Sequence, residues 1–436
     1  MAEFDIFELQ NGIRVVHRAV QRPVGHLSFH FALGSRDEMP EEQGLAHFLE
    51  HCIFKGTEKR RAYHILSRME DAGGELNAYT GKEEMVIYTS FLQGDYPRAV
   101  ELLTDVAFRS VFPAKEVEKE KEVVIDEINS YRDTPSESIF DEFEEQLFQG
   151  NPLGRNILGT YQSVRSFTRA DILRFMKRNI GSNRIVISSV GPVSSARLKQ
   201  ILHRELGQWP LPEAPRALTT PAALPPEHRS EKRPIFQTHA ILGSTAYAAT
   251  NERNRVLMLL NNLLGGPGMN SRLNLNIREK YGFTYYLESF YQPYQDTGLF
   301  GIYLGTDPGT VQRSFKLIEK ELHKLRTKPL GVLQLQKAKR QLLGQMAMAQ
   351  ENNAALGHGY GKSLLMFNRI DEFETIRARV EAISSAQLQE VAQELLHPEK
   401  MSSITYHAQS AETRDQRPET RDQMSLPDLG CHIWVF

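Results

Sequence analysis

Only two cysteines occur in the 436 residues, Cys52 and Cys431, so the chain is not a disulfide-stapled secreted domain. That usage fits a reducing compartment and argues against a structural bridge. No run of about 18 apolar residues is present, which excludes a membrane-spanning helix. The opening MAEFDIFELQNGIRVVHRAV lacks a basic segment followed by an apolar one, as a secretory leader would have, and its alternation reads as a first strand. These absences together predict a cytoplasmic location. A basic excess is missing as well: 52 Lys and Arg stand against 54 Asp and Glu, a formal net charge of -2, which argues against nucleic acid as a partner.

What is present is a globular composition, 40% hydrophobic and 24% charged, on a chain long enough for two domains of about 200 residues each. The stretch 209–234, WPLPEAPRALTTPAALPPEHRSEKRP, holds seven prolines and reads as an interdomain linker. It separates a first domain, 1–208, from a second, 235–408. The two halves repeat one order of signals. AGGELNAYTGKEEMVIYTSFLQGDYPRAVELLTDVAF runs Gly turn, strand, strand, loop, amphipathic helix, and KYGFTYYLESFYQPYQDTGLFGIYLGTDPGTVQRSFKLIEKEL runs the same way. An α+β fold follows, of two pseudo-repeated domains, each a mainly antiparallel sheet with helices packed on one face. The tail 409–436 contains the tandem repeat ETRDQRPETRDQ, has no apolar period there, and reads as disordered.

The segment GLAHFLEHCIFKG, residues 44–56, carries the chemistry. At ~100° per residue, Glu50 and His51 fall roughly 60° to one side and 40° to the other of His47, while Leu45, Phe48, Leu49 and Cys52 share the opposite arc. An amphipathic helix therefore buries one face and turns three polar side chains into a cleft. His47 and His51, one turn apart, can reach a single cation, and Glu50 beside them is placed to take a proton from a water that the cation holds. This is H-x-x-E-H, the inverted form of the zinc-protease helix. A solvated pair of histidines would show the same spacing, so the pattern demands a third protein ligand from elsewhere.

Candidates lie in VEKEKEVVIDEINSYRD, residues 117–133, a helix-forming run with Val124, Ile125 and Ile128 as its apolar stripe. Most of its carboxylates form a solvated face. Glu127 borders the stripe, and Glu120 lies seven residues earlier on the same side. A helix crossing behind the His helix could offer Glu127 to the metal and Glu120 to a ligand histidine.

His47-Phe48-Leu49-Glu50-His51 followed 76 positions later by Glu127 resembles the pitrilysin/insulinase family of zinc metallopeptidases, and its short, processing-peptidase-like branch in particular. GSRDEMPEEQGLAHFLEHCIFKGTEKR, GGELNAYTGKEEMVIY and GGPGMNSRLNLNIREKYGFTYY are similar to signatures of that family, and the similarity covers about residues 5–407. The resemblance implies one Zn²⁺ per chain held by His47, His51 and Glu127, with Glu50 as general base and Glu120 as a supporting acid. It implies that Arg278 and Tyr285 contact substrate near the zinc, and that Asn77 and Ala78 belong to a strand that pairs with the substrate. By their local sequence alone, Asn77 reads as well as a turn residue, and Arg278 as a surface neighbour of Tyr285. Pro267, inside the glycine-rich GGPGMNSR, departs from a freely flexible loop.

The leading reading is a zinc endopeptidase that hydrolyses unstructured peptides or protein extensions inside a closed chamber, Glu50 acting as base on zinc-bound water. Short members of the family enclose such a chamber with four domains from two chains. Since this chain carries both the His helix and the Arg278/Tyr285 pair, a homodimer suffices. The alternative is a non-catalytic partner or scaffold subunit of the same fold, which has no physical need for all four of His47, Glu50, His51 and Glu127. A closed structural zinc site would want a fourth protein ligand.

Overall fold

The computed structural model describes residues 3–207 and 209–408; the charged tail repeat lies outside them. The first half builds β1 (Asp5–Glu8), β2 (Arg14–Ala19), β3 (Val24–Phe31), β4 (Glu75–Thr80), β5 (Met85–Leu92) and β6 (Ile185–Gly191) into a sheet ordered β1-β2-β6-β3-β5-β4. The second half builds β7 (His228–Arg233), β8 (Thr238–Ala246), β9 (Thr284–Pro293), β10 (Gly298–Thr306) and β11 (Ser402–Ala408) into one ordered β7-β11-β8-β10-β9. Both are mainly antiparallel, with one parallel pair each, β2 with β6 and β7 with β11. Leaving β1 aside, β2-β6-β3-β5-β4 answers strand for strand to β7-β11-β8-β10-β9. The repeated order of turn, hairpin and helix is thus a repeat of topology, and it leaves β4 and β9 at equivalent sheet edges.

Residues 209–227 have no regular secondary structure. The stretch read as linker nevertheless ends in β7, because its proline-free part can offer N–H groups to a ladder with β11.

The helices that matter for the site are α1 (Leu45–Ile53), α2 (Ala62–Glu70), α3 (Tyr96–Arg109), α4 (Ala114–Arg132) and α5 (Pro135–Leu147). On one face of the first sheet, Leu45, Phe48 and Leu49 of α1 and Leu102 of α3 join Phe29, Ile87, Phe175 and Leu202 in a single core. Helices Asn254–Gly265, Val311–Thr327 and Ser385–Leu395 cover the second sheet in the same way.

The opposite face of each sheet is covered by a helix from the other half. Along β10, Ile302 and Leu304 point to the home core while Tyr303 points away. There α5 of the first half packs Ile139, Phe143 and Leu147 against Ile241, Tyr303, Ile404 and Tyr406. Reciprocally, the helix Asn353–Phe367 crosses to the first sheet, where Tyr360 and Leu364 meet Val16, Val186 and Val190. Gly357 and Gly361 let that helix come close: Ser188 Oγ donates to the Gly357 carbonyl at 2.6 Å. A buried guanidinium ties the halves further, Arg36 donating to Glu83 (2.7 Å) and to both carboxylate oxygens of Asp296 (2.7 Å each). Among the described residues, no helix is long and apolar enough to cross a membrane.

Candidate metal centre

The His helix starts at a constrained point. Gly44 has φ +93, and a Cβ there would lie 2.6 Å from Gly159 Cα, so glycine is required both by conformation and by space. No side chain of Gly44 can cap the helix, and Glu38 does so from six residues upstream, accepting from Gly44 N (3.0 Å) and Ala46 N (2.8 Å). Burial pushes the Glu38 carboxyl up to about 8, against those two N–H groups and the charges of Arg155 and Lys82. Lys82 in turn pairs with Glu144 of α5 at 3.0 Å, and Tyr294, just after β9, donates to the same carboxylate. The first turn of α1 is thus anchored to a polar cluster that both halves share.

From this start, the buried arc of α1 enters the core as its periodicity predicts, and His47, Glu50 and His51 face α4 and β4. Glu127 reaches them from α4, one oxygen 3.2 Å from His51 Nε2 and the other 3.7 Å from His47 Nε2. One ligand atom from each of the three residues can be chosen so that all lie within 4.8 Å of one another. The two rings stand edge to face with centroids 4.6 Å apart. Glu120, two turns earlier on α4, lies 3.4 Å from His51 Nδ1.

The chemistry of this donor set fits a zinc ion. His47 is only 7% exposed; among the described residues its Nδ1 has no hydrogen-bond partner, and its Nε2 is beyond hydrogen-bond range of Glu127. A buried imidazole without a proton acceptor is a poor structural device and a good ligand. Burial, with the nearby charge of His51, lowers the His47 pKa to about 4, so the ring is neutral, as ligation needs. Burial also opposes a charge on His51, but Glu127, Glu50 and Glu120 outweigh it and raise the pKa. Its hydrogen bond to His51 lowers that of Glu127. Two imidazoles and one carboxylate leave a tetrahedral position free for water or substrate.

Glu50 sits beside this cluster without joining it. Burial raises its pKa, opposed by Thr80 and by the charge of His51. Thr80 closes β4, so the carboxyl lies at the end of the sheet's open edge. On that edge Asn77 and Ala78 are opposite Tyr88 and Ile87 of β5, and among the described residues no strand flanks them on the other side. Asn77 Oδ1 accepts from the Ala78 N–H at 2.8 Å, a contact that a pairing peptide could replace.

Arg278 is exposed in a π-helical turn, Asn274–Glu279, and Tyr285 is 58% exposed on β9. Among the described residues, neither makes a hydrogen bond or ion pair with His47, Glu50, His51 or Glu127.

Model-based comparison matches the description "Insulinase (Peptidase family M16)" to residues 15–161 and "Peptidase M16 inactive domain" to residues 166–342. An uncharacterized zinc protease of Streptomyces coelicolor is 32% identical over 84% of this chain and 81% of its own. The chain belongs to peptidase family M16. Mitochondrial-processing peptidase subunit beta of Bos taurus is 29% identical, over 89% of this M16 chain and 81% of its own. The fold also matches a crystal structure from Pseudomonas fluorescens named for the peptidase M16 inactive domain, with a TM-score of 0.87 at 21% identity, covering 96% of this chain and 100% of that one. Membership in M16 is what the H-x-x-E-H helix and the glycine-bearing motifs led us to expect. Sequence reasoning missed Glu38 and Thr80: neither has a periodic relation to the His helix, and only the folded chain puts them against it.

Proposed function

We propose that this M16 chain is a zinc-dependent endopeptidase acting on unstructured peptides or protein extensions, with His47, His51 and Glu127 as ligands and Glu50 as general base. The observation that carries the reading is the convergence of these four side chains from α1 and α4 at the open edge of a sheet. When bound, zinc would supply Lewis acidity, polarising the attacking water and the scissile carbonyl. The chain's own groups do the rest. An extended peptide adds to β4 alongside Asn77 and Ala78, so its backbone is presented to Glu50 in a single register. Glu50, whose proton affinity burial raises, accepts a proton from the attacking water and delivers it to the leaving amine. Glu120 holds the His51 Nδ1 proton, which leaves Nε2 free to ligate.

Developing charge on the substrate oxygen needs further donors, for which a phenol and a guanidinium are suitable. Arg278 and Tyr285 supply them across a homodimer, each protomer lending its pair to the site of the other inside a closed chamber. Their exposure, and the lack of any hydrogen bond or ion pair between them and the cluster among the described residues, support this arrangement. The test is zinc content together with cleavage of an unstructured peptide, with and without chelator. A protein that binds zinc and leaves every such peptide intact would instead be the non-catalytic partner subunit.

A further inference from the structure

On the carboxylate that supports His51, the two oxygens have different partners. Glu120 Oε2 lies 3.4 Å from His51 Nδ1, while Oε1 lies 2.7 Å from Lys55 Nζ. The Glu120 side chain is 7% exposed and that of Lys55 29%. A carboxylate this buried is costly to hold charged without a partner, and an imidazole N–H at 3.4 Å is a weak one. Lys55 is the cation that offsets this cost. Its own backbone is fixed, the Lys55 N–H donating to Cys52 O at 3.1 Å just past the end of α1, where the helix dipole favours positive charge.

We infer that Lys55 is a positioning residue of the metal centre: it clamps Glu120 so that the carboxylate holds His51 with Nδ1 protonated and Nε2 turned towards Glu127. Lys55 follows His51 by four residues, two past the end of α1, and the close of the helix leaves its ammonium on the Glu120 carboxylate that also meets His51. The chain of contact runs Lys55, Glu120, His51, and the ammonium touches neither metal nor substrate. Because α1 and the residues just after it supply both ends of this chain and α4 the middle, the clamp also ties together the two helices that carry the proposed ligands. The inference rests on the zinc reading above.

The experiment measures zinc affinity by chelator competition, which reads positioning without reference to turnover. Five proteins are compared: wild type, Lys55→Met, Lys55→Arg, Glu120→Gln, and the double variant Lys55→Met/Glu120→Gln. Loss of an outer partner of a ligand weakens metal binding by roughly 10–100-fold. Lys55→Met should fall near the lower end of that range, Lys55→Arg should restore affinity to within about threefold, and Glu120→Gln should be weakened at least as much as Lys55→Met. Once Glu120→Gln has removed the carboxylate charge, an ammonium at 55 has nothing to clamp, so the double variant should bind zinc as Glu120→Gln does. Melting of the metal-free proteins separates this from a merely structural ion pair, which would lower thermal stability and leave zinc affinity alone. The inference is overturned if Lys55→Met binds zinc as wild type does, or if its penalty persists undiminished without the Glu120 charge. Wild-type protein that binds no zinc would overturn the zinc reading itself, a distinct result.

Discussion

Two glycines four residues apart on the crossing helix Asn353–Phe367 should respond to the same substitution with opposite signs. At Gly357 an added Cβ would meet Val190 Cγ2 at 3.6 Å and Ser188 Oγ at 3.9 Å, ordinary van der Waals contact. Gly357→Ala therefore gains the helix propensity that glycine forfeits, up to about 1 kcal/mol, with no opposing strain. At Gly361 the Cβ would stand 2.6 Å from His30 Cε1 and closer still to Nε2 and Cδ2. His30 has no room to retreat, being fully buried on β3, with Ser28 Oγ 2.9 Å from its Nε2. Overpacking of this kind costs about 1–3 kcal/mol or more, which the same propensity gain offsets only in part. Gly361→Ala should thus lower stability, and it should do so by lifting the second half's helix off the first sheet. The assay is urea denaturation of wild type and both variants, with limited proteolysis of the segment 350–370 as a local probe. Gly361→Ala as stable as wild type, or Gly357→Ala the more damaged of the two, would refute the reasoning.

Glu50→Gln keeps shape and loses the base, so it should retain zinc by metal analysis with hydrolysis below about one part in a hundred of wild type. By contrast, His47→Ala, His51→Ala and Glu127→Ala should each lose metal, since each removes one of the three proposed protein ligands; full zinc occupancy in Glu127→Ala would move the third ligand elsewhere on α4. Tyr285→Phe should slow turnover by roughly 10²-fold with zinc intact. If the pair acts across a dimer, mixing Glu50→Gln with Tyr285→Phe chains should restore up to half the wild-type rate per heterodimer, and a mixture as inactive as its components after proven subunit exchange would show that each chain builds its own site. His358, on the crossing helix, has its pKa lowered to about 4 by burial and by the neighbouring His30. An unfolded chain takes up that proton below about 6.5 and the folded one only near 4, so His358 subtracts stability as pH falls through this window. His358→Gln should flatten the acid loss of the metal-free protein between pH 6.5 and 4, measured from denaturation midpoints, and an unchanged slope would count against the assignment.

Much of the metal centre was legible because it is local. The three polar positions of α1 and their apolar counter-arc follow from helical period alone, and the structure buries that arc as expected. Glu127 was different: its place beside the apolar stripe permitted a reach to the metal, with Glu120 behind a ligand histidine, but did not require it, and it was the resemblance to the pitrilysin/insulinase family that gave the two these roles. The repeated order of hairpins and helix also announced two sheets of one kind, and the strand orders agree.

What local pattern cannot encode is the partner of a buried face. The apolar residues of α5 and of Asn353–Phe367 announce that each helix is covered, yet amphipathicity is blind to which sheet does the covering, and each crosses to the opposite half. The same holds for Lys55 and Arg36, whose partners are fixed by packing between elements far apart in the chain. Helical period and motif spacing determined which residues of α1 carry the chemistry. Only tertiary packing decided how that helix is held, because close contact between distant segments depends on the shape of both surfaces at once.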